Sequence, residues 1–471
     1  MLVLKIVKLA VAAGLMCACV SGAYAQVVAA KLSAPVPVTA QSGQPFRGTN
    51  EQPVAGPGLT IPDLIPHGYM EEEYFVSGTV DGKPYTTSML VRRPKDPKKF
   101  SGLVAVETVH AQGAVPFWGS KQVWMRGGHG WVAVASQRVA LEQYVKKSNP
   151  TRYASLQLPE APPPPAGTSA GPAAGGAQDL ISQAIMTQVG ALLKSSAAKA
   201  ANGPFPGLAV KYLVMGGSSQ TGGTTLRYIQ NSHAKSVLPN GKFIYDGYMP
   251  QLSFATGSLT AGGPPILHVV TEGDLMNQVG QGRVSVLRPD SDAASDRYRH
   301  FQLTGDSHVG TRGVKDPLQI FPTLGGAFKP GEQLSQYPAS EAMMPLTQHF
   351  IDWVMKGTPP PRAKPIEVAN GQIVRDARGI AVGGVRSPYV DVPTVRYIAA
   401  APLAQGDNPF RRLIGLQEPL PADQLRSLYK SRDAYLRQFN TGIDKMVAAR
   451  FLFPADAARL KAEEAKSAPQ F

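Results

Sequence analysis

Residues 212–229 read Tyr-Leu-Val-Met-Gly-Gly-Ser-Ser-Gln-Thr-Gly-Gly-Thr-Thr-Leu-Arg-Tyr-Ile. The first four residues predict a buried strand, the glycine-rich middle predicts a tight turn, and the last six begin a helical pattern. A serine at the apex of such a strand-to-helix turn presents its hydroxyl at the edge of a sheet, on a strained backbone. We therefore interpret this segment as a nucleophile elbow.

The segment contains two adjacent serines, and the size of their neighbours favours one of them. The strained turn brings the residues two before and two after the apex almost into contact, so both must be small. With Ser219 at the apex these residues are Gly217 and Thr221, whereas Ser218 at the apex would place the bulky Gln220 there. Ser219 is therefore the predicted nucleophile.

Two later segments carry the other groups that a serine nucleophile needs. Residues 264–270 predict a buried strand that leads into a turn containing Glu272 and Asp274, and His308 lies on a glycine-containing loop further on. A serine hydroxyl reacts only when an imidazole accepts its proton and an acid orients that imidazole. The chain order Ser, acid, His is the order of the α/β-hydrolase fold.

Either carboxylate of the turn could be the acid. Asp274 fits better, because in this fold the acid lies a few residues past the strand end and a short side chain suits a turn of fixed depth. Glu272 stays the alternative. Each residue taken singly also fits a structural role, such as a solvated carboxylate for Asp274 or a helix cap for His308. Their combination and order favour a catalytic triad of Ser219, Asp274 and His308.

The rest of the pattern agrees with an α/β fold. Residues 74–80 and 85–91 flank Asp81-Gly82 and predict a β-hairpin. Residues 103–109 and 131–135 predict further buried strands, with a helix between them. Strands that alternate with helices predict a mainly parallel central sheet flanked by helices.

The N-terminus predicts export. Lys5 and Lys8 precede an apolar stretch at 9–20 and the small-residue motif Ala23-Tyr24-Ala25, which is the layout of a signal peptide at 1–25. We expect a secreted or periplasmic protein, with a lipid anchor through Cys19 as the alternative. No later segment is apolar enough to predict a membrane span. The two cysteines both lie in the signal segment, which excludes cysteine catalysis and a disulfide framework for the mature chain.

Beyond the signal peptide the sequence predicts one large domain. Residues 26–58 are rich in Pro, Ala, Gln and Gly and predict an irregular lead-in, and residues 59–471 form the single domain. Within it, a Pro/Gly/Ala-rich stretch at 161–178 predicts a low-complexity surface loop, and residues 422–468 predict a helix-rich C-terminal extension.

Charge and histidine spacing exclude several other functions. The net charge is +14, but the charges are scattered and the chain carries an export signal, so nucleic acid is not an expected partner. The histidines show no metal-binding spacing, and we expect neither a metal nor a cofactor. The expected partner is a small-molecule ester, and the sequence leaves the oligomeric state open.

The chain also resembles the secreted bacterial alpha/beta-hydrolase domain-containing proteins, over nearly its whole length after the signal segment. The motifs that carry this resemblance are Gly-Tyr-Met-Glu-Glu-Glu-Tyr-Phe-Val-Ser-Gly at 68–78, Arg-Arg-Pro at 92–94, Gly-Trp-Val-Ala-Val at 130–134, Arg-Tyr at 152–153, Gly-Ser-Ser-Gln-Thr at 217–221, Phe-Ile-Tyr-Asp-Gly-Tyr at 243–248 and Gly-Gly-Val-Arg at 383–386. The resemblance implies a serine hydrolase with Ser219 as nucleophile, His308 as base and the acid in the turn at 271–274.

The resemblance also implies an oxyanion hole made of backbone N–H groups. One donor would be Gln220, and the second would be His110 or Ala111 in the loop after strand 103–109. Relatives tend to have asparagine at position 110, so a role for the His110 side chain does not carry over. The predicted function is hydrolysis of carboxylic esters, and the alternative is an inactive secreted binding protein on the same scaffold.

Overall fold

The computed structural model describes residues 27–50, 64–161, 177–255, 257, 259–282, 288–313, 328–329 and 331–471. The predicted signal peptide lies outside these residues, and so does most of the predicted low-complexity loop. Among the described residues, no helix is both long and apolar enough to cross a bilayer.

Ten strands form one sheet in the order β1-β2-β3-β5-β4-β6-β7-β8-β10-β9. Their bounds are Lys31–Pro35 (β1), Tyr69–Val80 (β2), Lys83–Pro94 (β3), Leu103–Thr108 (β4), Gly130–Val134 (β5), Tyr212–Ser218 (β6), Gly247–Gln251 (β7), Ile266–Thr271 (β8), Ser291–Ala293 (β9) and Asp296–Leu303 (β10). The six strands from β5 to β10 in the sheet order are mutually parallel. The predicted mainly parallel sheet is confirmed, and its central strands are buried on both faces, as their continuous apolar runs require.

The predicted β-hairpin is confirmed as β2 and β3. Asp81 and Gly82 join the strands with φ values of 49° and 76°. Positive φ at both central residues defines the tight turn whose twist matches that of paired strands, and this accounts for the Asp-Gly sequence.

In the part of the predicted lead-in at 26–58 that the structure describes, residues 27–50, one segment is regular, unlike the irregular chain that the composition predicts. Residues Lys31–Pro35 form the edge strand β1, antiparallel to β2. Farther along, Phe46 is buried and Arg47 forms an ion pair with Glu71 at 2.8 Å. The composition misleads here because an edge strand needs few apolar residues and tolerates proline, since only one of its sides is paired.

Eleven α-helices lie in the described residues. They are Lys121–Arg126 (α1), Arg138–Ala140 (α2), Lys146–Ser148 (α3), Ala177–Leu193 (α4), Gln220–Asn231 (α5), Glu272–Val279 (α6), Ala339–Lys356 (α7), Pro388–Asp391 (α8), Ala422–Tyr429 (α9), Arg432–Ala448 (α10) and Pro454–Ser467 (α11). Two small antiparallel sheets, Val368–Ala369 (β11) with Gln372–Ile373 (β12) and Val395–Ile398 (β13) with Leu416–Pro419 (β14), lie between α7 and α9.

The three tail helices have an apolar cluster of their own and also contact the rest of the chain. Tyr435 and Phe439 lie in that cluster. The Phe451 ring packs edge-on against Phe301 of β10 at 5.7 Å, and Arg126 lies over the ring of Phe453 at 4.6 Å. The tail therefore packs on β10 of the sheet and on α1.

A buried carboxylate in β4 holds the segment between β4 and α1 in place. Glu107 accepts hydrogen bonds from the backbone N–H groups of Phe117 and Trp118 and from the indole N–H of Trp131. Burial raises the pKa of Glu107 to about 8, although these hydrogen bonds and Arg92 oppose the shift. Because the Phe117 ring packs directly against Gly216, the same contacts define one wall of the glycine-rich turn.

Candidate active site

Ser219 lies at the apex of the turn between β6 and α5, as the sequence predicts. Its φ of 59° and ψ of −124° fall outside the regions that non-glycine residues favour. A Cβ atom added at Gly217 would lie 2.5 Å from the carbonyl oxygen of Thr221, and one added at Gly222 would lie 2.1 Å from that of Gln251. The small residues of this segment therefore allow the chain to bend sharply enough to expose the Ser219 hydroxyl.

His308 reaches Ser219 from the loop after β10. Its Nε2 atom lies 2.8 Å from Ser219 Oγ. The loop leaves the strand at Gly305, where φ is 82° and an added Cβ would lie 2.5 Å from a methyl group of Val390. A glycine is needed at that point, because an L side chain would be both strained and crowded.

Asp274 lies on the opposite side of the His308 ring, with its Oδ1 atom 2.5 Å from Nδ1. Its Oδ2 atom accepts from the backbone N–H and the hydroxyl of Thr271 at 3.0 and 2.8 Å, in a capping box at the start of α6. Burial by itself raises the pKa of Asp274, but the charge of His308 and the hydrogen bonds from His308 and Thr271 outweigh it and leave the pKa below its ordinary value. Asp274 is therefore ionised at neutral pH.

Glu272 begins the same helix and has different partners. One carboxylate oxygen accepts from the backbone N–H of Gly305 at 2.8 Å, and the other pairs with Arg375 at 2.9 Å. Of the two carboxylates that the sequence left open, the structure brings Asp274 and not Glu272 to His308. Glu272 instead holds the start of the loop on which His308 lies.

A third carboxyl group, which the sequence analysis did not single out, lies in the same loop. Asp306 is 3% exposed and its Oδ1 atom accepts from the backbone N–H of Ser307. Burial raises its pKa well above the usual value, the Ser307 hydrogen bond opposes this, and the charge of Asp274 adds to it. The shift favours the uncharged form of Asp306 beside the carboxylate of Asp274.

The three predicted oxyanion donors have different partners. Gln220 is the first residue of α5, so its backbone N–H has no acceptor within the helix. The N–H of His110 donates to the carbonyl of Ala114 at 2.8 Å, inside its own turn. The N–H of Ala111 donates to the side-chain Oε1 of Gln220 at 3.3 Å. Ala111 is thus the loop residue whose N–H is directed toward the elbow.

The side chain of His110 accepts a hydrogen bond from the backbone N–H of Gln112 through Nδ1, at 3.0 Å. Burial, and next the charge of His308, lower the pKa of His110 to about 4. His110 is therefore neutral over the ordinary pH range. His268, in the strand predicted at 264–270, is buried and pairs with Ser253 O and Tyr298 Oη. Among the residues that the structure describes, no group of His, Cys, Asp or Glu is arranged to hold a metal ion.

Residues 32–462 match the family model described as an alpha/beta hydrolase domain. This match identifies the class of the protein, and the parallel sheet and the strand-to-helix turn at Ser219 agree with it. The chain belongs to the alpha/beta hydrolase domain family.

Solved structures to which part of the chain is similar include a cold-adapted esterase from an Arctic intertidal metagenomic library, 15% identical, with 43% of this chain and 71% of that chain covered and a TM-score of 0.23. Another is a putative dienelactone hydrolase from Klebsiella pneumoniae subsp. pneumoniae, 14% identical, with 54% and 98% covered and a TM-score of 0.28. No curated protein matches the chain by sequence.

Proposed function

We propose that the protein is a serine hydrolase that cleaves carboxylic esters through an acyl-enzyme. The observation that carries this proposal is the continuous series of hydrogen bonds from Ser219 Oγ through both ring nitrogens of His308 to Asp274. A surface serine near a histidine is common, but a serine on a strained elbow, paired with a histidine that a buried carboxylate orients, is the arrangement that nucleophilic catalysis requires.

In the first step Ser219 Oγ attacks the ester carbonyl carbon while His308 Nε2 takes the hydroxyl proton. Asp274 stabilises the resulting imidazolium and keeps the proton of Nδ1 directed toward itself. The tetrahedral intermediate collapses, the proton of His308 passes to the alcohol that leaves, and the acyl group stays on Ser219. Water, activated by the same histidine, then releases the carboxylic acid and restores the serine.

The negative oxygen of the tetrahedral intermediate needs fixed donors. In this proposal they are the backbone N–H groups of Gln220 and Ala111, because the first has no helical acceptor and the second has only a long bond to a side chain. The N–H of His110 would remain in its turn with Ala114. The direct pairing of β4 with β6 supports this assignment, because Ala111, Gln220 and Ser219 then follow neighbouring strand ends.

The two adjacent serines supply a matched test. Ser219→Ala should lower turnover of short p-nitrophenyl esters by at least about 10³-fold, since removing a triad nucleophile costs that much or more. Ser218→Ala should retain activity within a few-fold, because the recorded bonds of Ser218 are made by its backbone. Equal loss in both folded variants, or none in Ser219→Ala, would contradict the proposal. Absence of turnover by the wild type would favour the alternative, a binding protein on a hydrolase scaffold.

Export is a separate proposal that rests on the sequence. We expect the mature protein to begin at Gln26 in the periplasm or the medium. N-terminal sequencing of protein from each fraction checks this. Retained Met1 on cytoplasmic protein would contradict it, and a lipid-modified Cys19 would establish the alternative.

A further inference from the structure

Two glutamine side chains meet at the end of the central strand β4. Gln137 follows β5 and Gln220 follows β6, and β4 lies between β5 and β6 in the sheet. Gln220 Nε2 donates to Gln137 Oε1 at 2.6 Å, and Gln137 Nε2 donates to Gln220 Oε1 at 3.0 Å. Neighbouring strands lie about 4.8 Å apart, so the two side chains together bridge the width of β4.

The glutamine pair holds the chain that leaves β4 at two points. Gln137 Nε2 also donates to the carbonyl of Val109 at 2.9 Å, and Gln220 Oε1 also accepts from the N–H of Ala111 at 3.3 Å. The amide orientation follows from these partners. If the amide of Gln137 were reversed, its oxygen would face the carbonyl of Val109 and the oxygen of Gln220, and three favourable contacts would become repulsive.

We propose that the side chains of Gln137 and Gln220 are positioning residues for the oxyanion hole, and that Gln220 Oε1 is the resting acceptor which the oxyanion replaces at the N–H of Ala111. The inference rests on the proposed function. A bond of 3.3 Å is longer than the usual 2.9–3.0 Å and is correspondingly weak. A developing oxyanion is charged and is a stronger acceptor than an amide oxygen. The donor can therefore change partner while the other bonds hold the loop.

This role predicts a particular kinetic signature. A donor that acts on the oxyanion affects the transition state more than the bound ester, so its displacement lowers kcat and leaves KM nearly unchanged. Loss of an oxyanion donor costs about 10²–10³-fold in kcat. A donor that is loosened but still present should cost less, and we expect a decrease of about 10–100-fold.

The main variant is Gln137→Leu, which removes every bond of this amide and leaves the residues of the proposed triad and the Gln220 backbone intact. We expect kcat for short p-nitrophenyl esters to fall about 10–100-fold with KM within about three-fold of wild type. Gln143→Leu is the control, because Gln143 is an exposed glutamine on the same segment that accepts from Lys147. Its kinetic constants should match the wild type. The melting temperature of each variant is measured alongside.

Gln137→Glu gives a second measurement, the pH dependence of kcat. This dependence should not change if Gln137 only fills space in the packing. When the introduced carboxyl is ionised, an oxygen without a proton faces the carbonyl of Val109 and Gln220 Oε1. When it is protonated, its O–H can donate to one of them. The ratio of kcat for this variant to that of the wild type should therefore rise as the pH is lowered from 8 to 5. The native ionisable groups around the pair are common to both proteins, so their contribution largely cancels in the ratio.

The outcomes separate this inference from the proposed function. If the wild type turns over esters and Gln137→Leu keeps kcat within two-fold, or changes only KM, the positioning role is wrong and the hydrolase proposal stands. A pH-independent ratio for Gln137→Glu is also contrary to the inference. A wild-type protein that neither turns over esters nor reacts with a fluorophosphonate overturns both. A fall in kcat at nearly constant KM, with the expected pH trend, supports the positioning role.

Discussion

The two halves of the site are built from different kinds of interaction. At the ends of β6, β8 and β10, in the acid half, the side chains of the proposed triad bond directly to each other, Asp274 to His308 and His308 to Ser219. At the ends of β4, β5 and β6, in the oxyanion half, the neutral amide side chains of Gln137 and Gln220 bond to the backbone of the chain that leaves β4. A change in the first half alters the protonation of a reacting group, whereas a change in the second alters only a position. The first half should therefore be the more sensitive to substitution.

The largest decrease in kcat among the next three substitutions is expected for Asp274→Asn. Asparagine can keep the contact with His308 but favours the wrong tautomer of the ring and cannot stabilise an imidazolium, and this substitution costs about 10⁴-fold in kcat in a comparable triad. We expect a loss of that order here. Steady-state kinetics on a folded variant check this value. A loss of kcat smaller than that of Gln137→Leu would show that the oxyanion half is the more sensitive to substitution.

Glu272→Gln tests whether the acid half acts through Asp274 alone. Glutamine can still accept from the N–H of Gly305 but loses the charge that pairs with Arg375. We expect kcat to fall less than about ten-fold, because Glu272 supports the loop and does not touch the imidazole. A loss equal to that of Asp274→Asn would assign the role of the acid to Glu272.

The smallest effect is expected for His110→Asn, in the oxyanion half. Since the pKa of His110 is lowered to about 4, this residue is neutral above pH 5 in the wild type, and its replacement removes no charge there. The pH dependence of kcat/KM between pH 5 and 8 should keep its position, and its height should stay within about three-fold, because the recorded contacts of His110 hold its own turn. A shift of the acidic side of this kcat/KM profile would show that His110 changes its protonation between pH 5 and 8.

Much of the acid half could be predicted from the sequence, because its signals are local. Gly217 and Thr221 identify Ser219 through a steric condition within five residues, and the strand before Glu272 and Asp274 places both at the sheet edge. The choice between these two depends on the first turn of α6, where Asp274 is the third residue and caps the helix through Thr271. The sequence favoured Asp274 by side-chain length, and the structure brings that residue to His308. Its role in catalysis stays a prediction.

The oxyanion half was harder to predict, because its contacts depend on strand order. Gln137 and Gln220 are far apart in sequence, and nothing local indicates that β4 is inserted between the strands that carry them. The edge strand β1 was missed for a related reason. Its pairing with β2 comes from backbone hydrogen bonds, which composition does not reveal, and a proline-rich stretch suggests a loop. The place of Gln137, two residues past the predicted strand 131–135, is the one local signal that the sequence offers for it.

The central claim is that Ser219 is an activated nucleophile, and its most direct test is covalent labelling. The mature protein is treated with a fluorophosphonate, digested and mapped by mass spectrometry. Because an activated serine reacts with this probe and an ordinary one does not, we predict a single phosphonylated residue, Ser219, and no adduct in Asp274→Asn over the same short exposure. Labelling at Ser218 or at another serine, or no labelling of a folded wild-type protein, would contradict the account.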